Sequence, residues 1–367
     1  MRLIGTACAS AWLLVALALL RLAGSDGSTC EERWIDGTPA TATLVMVRHG
    51  QSIWNQDNRF TSWVDVPLSD QGLKDAHKAG KLCRENNLKF DVAFTSVLQR
   101  AVKTCYIVLE ELNQLWIPTD CRWRLNERHD GALTGLNKKV AALDFGRERV
   151  QKFRRGYSYP PPLLNKSHPC WPGHDTKYWQ MHDINENDLP LGESLHEAMF
   201  RVLPTWEEEI KPLLRAGKSI LLVTHGNIVR LLAKILDDIS DSDIENLDVP
   251  SGCPLVYKIR CDTLKPIASG SSWAPLSAEF LGNKTAISEK MQFVKAEVGH
   301  LFARDIRRML RQNDWGGKRD DSSDLFARKM NLQRVLSQSS LRQEKVNRKS
   351  ASWWHIMGKC DSSSDFG

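Results

Sequence analysis

The chain has 367 residues, 42 % of them hydrophobic and 26 % charged, which fits a packed globular core in one large or two ordinary domains. The formal net charge of +6 is concentrated in one stretch, because residues 301–350 hold 13 Lys and Arg against 6 Asp and Glu. That stretch carries +7 and the rest of the chain −1, so the body is near neutral, and without a nucleic-acid-binding motif we expect no nucleic-acid partner.

The first 25 residues have the pattern of a secretory signal peptide. Arg2 provides a positive charge, residues 7–20 are almost wholly apolar, and small residues suited to cleavage follow at Ala23. Because this apolar run is shorter than the about 20 residues that span a bilayer, we expect no stable membrane span. The chain would enter the secretory pathway and be secreted or reach an organelle, with a plastid reached by two-step targeting among the destinations. The polar, turn-rich residues 26–42 predict a linker.

The body begins with a predicted strand at residues 44–47, a continuous apolar run typical of a strand buried on both faces of a parallel sheet. Apolar spacing next predicts a helix, a second strand and a second helix, at about residues 73–86, 91–95 and 96–112. This alternation of strands and helices favours a parallel sheet.

The second half of the body repeats the alternation. Its predicted elements are helices at 137–155, 193–214 and 228–236, an irregular stretch with five prolines at 159–173, and strands at 219–224 and 255–259, the last expected to close the sheet. We therefore predict an α/β three-layer sandwich, with a mostly parallel sheet, helices on both of its faces, and a helical or disordered C-terminal extension. The predicted boundaries are a main α/β domain at 43–285, a helical extension at 286–336 and a disordered tail at 337–367.

Two predicted strands end in a His-Gly pair, at His49 and at His225. Because carboxyl ends of parallel strands meet at one edge of a sheet, where ligands bind, the two histidines could face each other. A single histidine at a strand end is more often structural than catalytic. Arg48 precedes the first pair, and further candidates for a phosphate site lie between the two pairs, namely Arg100, Glu127, Arg154 and Arg155.

These residues carry a resemblance to a known family. The chain is similar to the 2,3-bisphosphoglycerate-dependent phosphoglycerate mutases of the histidine phosphatase superfamily, from about residue 44 to residue 265. The matching motifs are Arg48-His49-Gly50, Arg59-Phe60-Thr61, Thr95-Ser96-Val97-Leu98-Gln99-Arg100-Ala101, Leu125-Asn126-Glu127-Arg128-His129, Gly135-Leu136-Asn137-Lys138, Arg154-Arg155-Gly156, Glu193-Ser194-Leu195 and His225-Gly226-Asn227.

The resemblance implies that 3-phosphoglycerate and 2-phosphoglycerate are interconverted, as in glycolysis and gluconeogenesis, through a phosphohistidine at His49 that 2,3-bisphosphoglycerate primes. It also implies a homodimer and no metal. Glu127 would be the general acid and base. Stabilisation of the moving phosphoryl group would come from Arg48, Arg100 and His225. The expected substrate-binding residues are Asn55, Thr61, Ser62, Lys138, Arg154, Arg155, Gly226 and Asn227. Arg59 and His129 are interpreted as structural.

Two positions depart from the family pattern. Asp130 stands where these mutases have Tyr, and Ser62 stands where they usually have Gly. A negative charge at Asp130 would lie close to an anionic ligand and weaken its binding. Two alternatives to the mutase are therefore a histidine phosphatase acting on a small phosphorylated metabolite, and a low-activity scaffold protein.

Overall fold

The computed structural model describes residues 34–35, 38–270, 273 and 275–298, with the backbone alone for 34, 35, 38 and 39. The predicted signal peptide and the predicted tail at 337–367 lie outside the described residues. The predicted extension at 286–336 is described only as far as residue 298. In the described part of the chain, no helix has both the length and the apolar character needed to cross a membrane.

A six-stranded sheet forms the centre of the molecule, preceded by a two-stranded antiparallel ribbon of β1 (Trp34–Ile35) and β2 (Thr38–Pro39). The strands of the sheet are β3 (Thr41–Arg48), β4 (Val92–Thr95), β5 (Thr119–Cys121), β6 (Ser219–Thr224), β7 (Leu255–Arg260) and β8 (Glu279–Phe280). Their order is β5-β4-β6-β3-β7-β8. The first four are parallel, whereas β7 pairs with β3 antiparallel and β8 pairs with β7 antiparallel. The expectation that residues 255–259 close the sheet is wrong, because β8 forms the edge beyond them.

The helices cover both faces of this sheet. They are α1 (Ile53–Gln56), α2 (Asp70–Glu85), α3 (Gln99–Glu111), α4 (Lys138–Asp144), α5 (Arg147–Arg155), α6 (Thr176–Trp179), α7 (Leu195–Pro204), α8 (Lys211–Arg215), α9 (Gly226–Asp237) and α10 (Lys284–Ala296).

Alternate residues of β3 show how the layers form. Leu44 and Met46 pack with apolar residues of α7 and α9 on one face. Val45 and Val47 pack with α2 and α3 on the other. Because successive side chains of a strand point to opposite faces, one continuous apolar run supplies both cores. The predicted three-layer α/β fold is confirmed.

Two predicted helices are interrupted. The helix expected at 137–155 breaks into α4 and α5 at Gly146, whose φ of +83° is in the left-handed region that favours glycine. The helix expected at 193–214 begins only after Ser194, whose side chain accepts a hydrogen bond from the Glu197 N–H. It then contains a π-helical turn, Thr205–Ile210, directly after Pro204, which has no N–H to donate.

Candidate active site

The sheet brings the two His-Gly pairs together. Arg48 and Thr224 are register partners at the ends of β3 and β6, and the His49 N–H donates to the Thr224 carbonyl at 2.9 Å. His49 and His225 follow at this edge, with ring centroids 5.0 Å apart in an edge-to-face arrangement. The expected meeting of the two histidines therefore follows from parallel pairing of two apolar strands.

Gly50 lets the chain after His49 pass against the start of α2. A Cβ atom at Gly50 would lie 2.1 Å from the Gly72 carbonyl oxygen, and one at Gly72 would lie 1.9 Å from the Gln51 carbonyl oxygen. Neither glycine could carry a side chain without a backbone shift. This close approach fixes the loop that holds His49 at the strand end.

One nitrogen of the His49 ring is available as a nucleophile. Nδ1 lies 2.6 Å from the Gly50 carbonyl oxygen, which can only accept, so Nδ1 carries the proton and Nε2 keeps its lone pair. Burial, and then the charges of Arg100 and Arg48, hold the pKa of His49 well below its ordinary value. The imidazole is therefore neutral at physiological pH.

Two guanidinium groups beside His49 are held by backbone carbonyls. Arg100 donates to the carbonyls of Ser62 and Val64, both at 2.8 Å, and its Nε–H donates to His49 Nε2 at 3.3 Å. Arg48 donates to the Val249 carbonyl at 2.8 Å, while its Nε finds no hydrogen-bond partner among the described residues. These contacts hold two positively charged groups close to His49 Nε2.

His225 is fully buried behind His49. Its Nε2 lies 2.7 Å from Ser96 Oγ, and its Nδ1 has no hydrogen-bond partner within the part of the chain that the structure describes. Burial, followed by the charge of Arg100, places its pKa well below the ordinary value. Ser96 directly follows β4, so a third parallel strand end contributes to the same edge.

Glu127 is carried by a loop that Arg201 of α7 holds in place. The Glu127 carboxylate accepts from the Arg128 N–H at 2.9 Å, and its carbonyl accepts from Trp63 Nε1 at 2.6 Å. Arg201 donates to both oxygens of the Glu193 carboxylate, at 2.8 and 2.9 Å. The same guanidinium reaches the carbonyls of Arg124, Asn126 and Glu127, at 2.7, 3.1 and 3.2 Å respectively.

One cleft contains nearly all of the predicted site residues. Those that line it are Arg48, His49, Asn55, Thr61, Ser62, Arg100, Glu127, Asp130, Lys138, Arg154, Arg155, Gly226 and Asn227. His225 contacts the cleft through the ring of His49. Gly226 and Asn227 begin α9, whose N-terminal N–H groups favour an anion.

The cations expected to hold a second anionic group already have acidic partners. Lys138 Nζ lies 2.7 Å from the Glu297 carboxylate, and Arg154 forms an ion pair with the same carboxylate. Arg155 forms an ion pair with Asp248. Two sets of cations therefore line the cleft. Arg48 and Arg100 lie beside His49, and Lys138, Arg154 and Arg155 are paired with carboxylates.

The two departures from the family pattern contact each other. The Asp130 N–H donates to Ser62 Oγ at 3.2 Å, although the residues are 68 positions apart. Ser62 has a φ of +51°, where glycine is the least strained residue. The Asp130 carboxylate is paired with Arg128 at 2.6 Å, so its negative charge is opposed within the chain. Burial raises the pKa of Asp130, and Arg128 acts against that rise.

Four charged residues that sequence reasoning missed or set aside also line the cleft, namely Arg59, Arg128, Arg230 and Glu297. Arg128 follows Glu127 directly, within the motif Leu125-Asn126-Glu127-Arg128-His129. Arg230 comes one helical turn after Asn227, whose side-chain oxygen it contacts at 2.8 Å, so helical spacing could have indicated it. Glu297 has no local signal, because a distant helix brings it to the site.

The sequence model of the histidine phosphatase superfamily (branch 1) matches residues 44–264, in two overlapping segments, 44–169 and 164–264. The match covers more than half of the chain. The chain belongs to this superfamily, whose members are phosphoryl-transfer enzymes.

Similar solved structures include both phosphatases and a mutase. A mycobacterial glucosyl-3-phosphoglycerate phosphatase is 21 % identical with a TM-score of 0.46, and the match covers 59 % of this chain and 90 % of that chain. A phosphoglycerate mutase from Bacillus anthracis str. Sterne is 19 % identical with a TM-score of 0.45, covering 69 % and 97 %. The sequence identities and the TM-scores are too low to favour either activity for this chain.

Proposed function

We propose that this protein transfers a phosphoryl group through a phosphohistidine at His49. The observation that carries the proposal is the neutral His49 ring, with Nδ1–H bound to the Gly50 carbonyl and Nε2 facing a cleft lined by arginines. A neutral imidazole is a good nucleophile toward phosphorus, and a dry, cationic surrounding stabilises the charge that develops in transfer.

In the proposed step, His49 Nε2 attacks the phosphorus of a phosphomonoester and the bond from phosphorus to the ester oxygen breaks. Glu127, entering as the carboxylic acid, gives its proton to that leaving oxygen. Arg48 and Arg100 stabilise the charge on the equatorial oxygens. The Gly50 carbonyl accepts from Nδ1–H and stabilises the positive charge that the ring gains. Return of the phosphoryl group to a hydroxyl reverses these steps, with Glu127 accepting the proton.

For the substrate, we propose interconversion of 3-phosphoglycerate and 2-phosphoglycerate. The cations Lys138, Arg154 and Arg155 are suited to the carboxylate of such an acid, and Arg can bind it bidentately. They also fit the second phosphate of 2,3-bisphosphoglycerate, which would supply the priming phosphoryl group. This fit requires the Glu297 carboxylate to leave Lys138 and Arg154. The scheme uses no metal ion.

A second candidate function is hydrolysis of a small phosphomonoester. It is favoured by the ion pairs of Glu297 and Asp248 with these three cations, because a ligand with one phosphate needs only the arginines beside His49. Water would then replace the acceptor hydroxyl, attacking the phosphohistidine with Glu127 as general base.

Purified protein incubated with 3-phosphoglycerate, with and without 2,3-bisphosphoglycerate, separates these functions. The mutase produces 2-phosphoglycerate without net phosphate release, and the priming compound accelerates it. Steady phosphate release without interconversion would identify the phosphatase. Absence of both, together with no phosphohistidine on the protein, would leave the scaffold.

His49→Ala tests the proposed nucleophile. We expect it to abolish both turnover and phosphorylation of the protein. His182→Ala, which changes an exposed histidine, is the matched control and should leave both unchanged. Full activity in His49→Ala would refute the phosphohistidine.

A further inference from the structure

The residues that follow α10 bring an acidic side chain of the chain itself into the cleft. Glu297 comes directly after this helix, and its carbonyl accepts from Asn58 Nδ2 at 2.8 Å. Val298 packs into a small apolar cluster with Phe60, Leu136 and Phe153. The chain is thereby held against the cleft, whose lining includes Glu297.

The Glu297 carboxylate is bound as an external anion would be. Its Oε2 accepts from Lys138 Nζ at 2.7 Å and from the Arg154 guanidinium, and its side chain is only 9 % exposed. Burial acts to raise its pKa, but Lys138 and then Arg154 hold that pKa at about 2. The group is therefore a carboxylate at any physiological pH.

We propose that Glu297 is an internal ligand of the Lys138–Arg154 pair, and that it determines specificity by competing with the second anionic group of the substrate. This inference rests on the proposed function of the same cleft. A phosphomonoester without a second anion binds beside His49 and leaves Glu297 in place. A phosphorylated acid must displace the Glu297 carboxylate before its own carboxylate reaches the two cations.

The ion pairs in the cleft show which cations a ligand can reach only by displacing Glu297, namely Lys138 and Arg154. Among the described residues, Arg48 and Arg100 bind backbone carbonyls and form no ion pair with a carboxylate. Inorganic phosphate can therefore bind beside His49 without displacing an acidic side chain. Loss of the Glu297 charge should therefore change the affinity for ligands with two anionic groups more than the affinity for ligands with one.

The attachment of this segment is light enough to be reversed without unfolding the body. Beyond the ion pairs of Glu297, the contacts of the described residues Glu297 and Val298 are a hydrogen bond from Asn58, one from the Glu297 N–H to the Val294 carbonyl, and the packing of the Val298 side chain. Phe293, near the end of α10, is 64 % exposed. A ligand that supplies its own carboxylate restores the charge balance at Lys138 and Arg154 once Glu297 has left.

The test is calorimetric titration of Glu297→Gln and the wild-type full-length protein with 3-phosphoglycerate and with inorganic phosphate. We expect Glu297→Gln to bind 3-phosphoglycerate more tightly by about tenfold or more, since a buried charged contact no longer competes. Affinity for inorganic phosphate should rise much less, by about threefold at most, because phosphate displaces no carboxylate and senses the lost charge only through its effect near Arg48. Glu289→Gln, on an exposed position of α10, is the matched control and should bind both ligands as the wild type does.

Unchanged or weaker binding of 3-phosphoglycerate by Glu297→Gln would overturn the inference. Val298→Ala provides a second variant that keeps the Glu297 charge and loosens its support, and it too should bind 3-phosphoglycerate more tightly. Phosphorylation of His49 is measured separately. Its presence together with unchanged binding in both variants would reject competition by Glu297 while leaving the proposed function intact.

Discussion

Arg201→Lys tests how the Glu127 loop is held, because it keeps the positive charge and removes the planar fork of donors. Arg201 donates five hydrogen bonds, two to the Glu193 carboxylate and three to backbone carbonyls, one of which belongs to Glu127. The side chains of Arg201 and Glu193 are each 7 % exposed. The guanidinium also lies over the Trp63 ring, 5.1 Å from its centroid.

The expected cost follows from counting these bonds. An ammonium group offers three donors from one point, so at least two of the five bonds are lost and buried acceptors remain unpaired. With about 1 kcal/mol for a neutral bond and about 2 kcal/mol for a charged one, Arg201→Lys should lower the free energy of unfolding by about 3 kcal/mol. Turnover should fall by about tenfold to a hundredfold, because a shift of about 1 Å in a positioned group has effects of this size.

Urea denaturation measures the free energy of unfolding, and turnover is measured on the folded variant well below its unfolding transition. Arg215→Lys, at an exposed position at the end of α8, is the control and should change neither quantity. If Arg201→Lys lowers the free energy of unfolding by less than about 0.5 kcal/mol and leaves turnover unchanged, the hydrogen bonds of Arg201 do not position Glu127.

Three further outcomes follow from the buried charges. The rate of phosphohistidine formation, measured by rapid quench, should stay constant as the pH falls from 7 to 6. The reason is that burial and two neighbouring arginines hold the pKa of His49 well below 6.5. A decline in this rate centred on pH 6.5 would contradict the prediction. Burial lowers the pKa of His129 to about 4, so the folded state binds fewer protons than the unfolded state between pH 6.5 and 4. The contribution of His129 to the free energy of unfolding should therefore fall by about 2.5 kcal/mol across that interval. The decrease should be smaller in His129→Asn, whose amide does not titrate, and equal slopes would refute the assignment. Asp130→Asn removes the partner of the buried Arg128 and should destabilise the protein by about 3 kcal/mol in urea denaturation, whereas a loss under about 1 kcal/mol would mean that the pair is not maintained in solution.

The parts of the fold that the sequence predicts best are those with local signals. The apolar runs of β3 and β6 can be recognised because both faces of each strand are buried, and the following His-Gly pairs mark the edge of the sheet. The break between α4 and α5 was missed because the pattern of apolar residues continues across Gly146, whose positive φ ends the first helix. The short strand β8 has only two residues, too few for a detectable period.

Candidate site residues could be predicted where a motif contains them, whereas their partners from distant parts of the chain were missed. Nothing near Lys138 in the sequence indicates its ion pair with Glu297, which is 159 residues away. Likewise, the contact between Asp130 and Ser62 depends on two loops meeting in three dimensions. The charge expected to repel a ligand at Asp130 thus has a partner, Arg128, that only the folded chain reveals.

The position of β3 in the sheet also determines when this strand can form its hydrogen bonds during synthesis. This strand comes near the start of the body, but both of its neighbours, β6 and β7, begin about 170 and 210 residues after it ends. During synthesis, its backbone hydrogen bonds have no partners until most of the chain has left the ribosome. Such non-local pairing slows folding and leaves an apolar strand exposed to aggregation in the nascent chain. His49 can therefore meet His225 and the start of α9 only after β6 has been synthesised, so a chain truncated before β6 carries the first motif without the complete site.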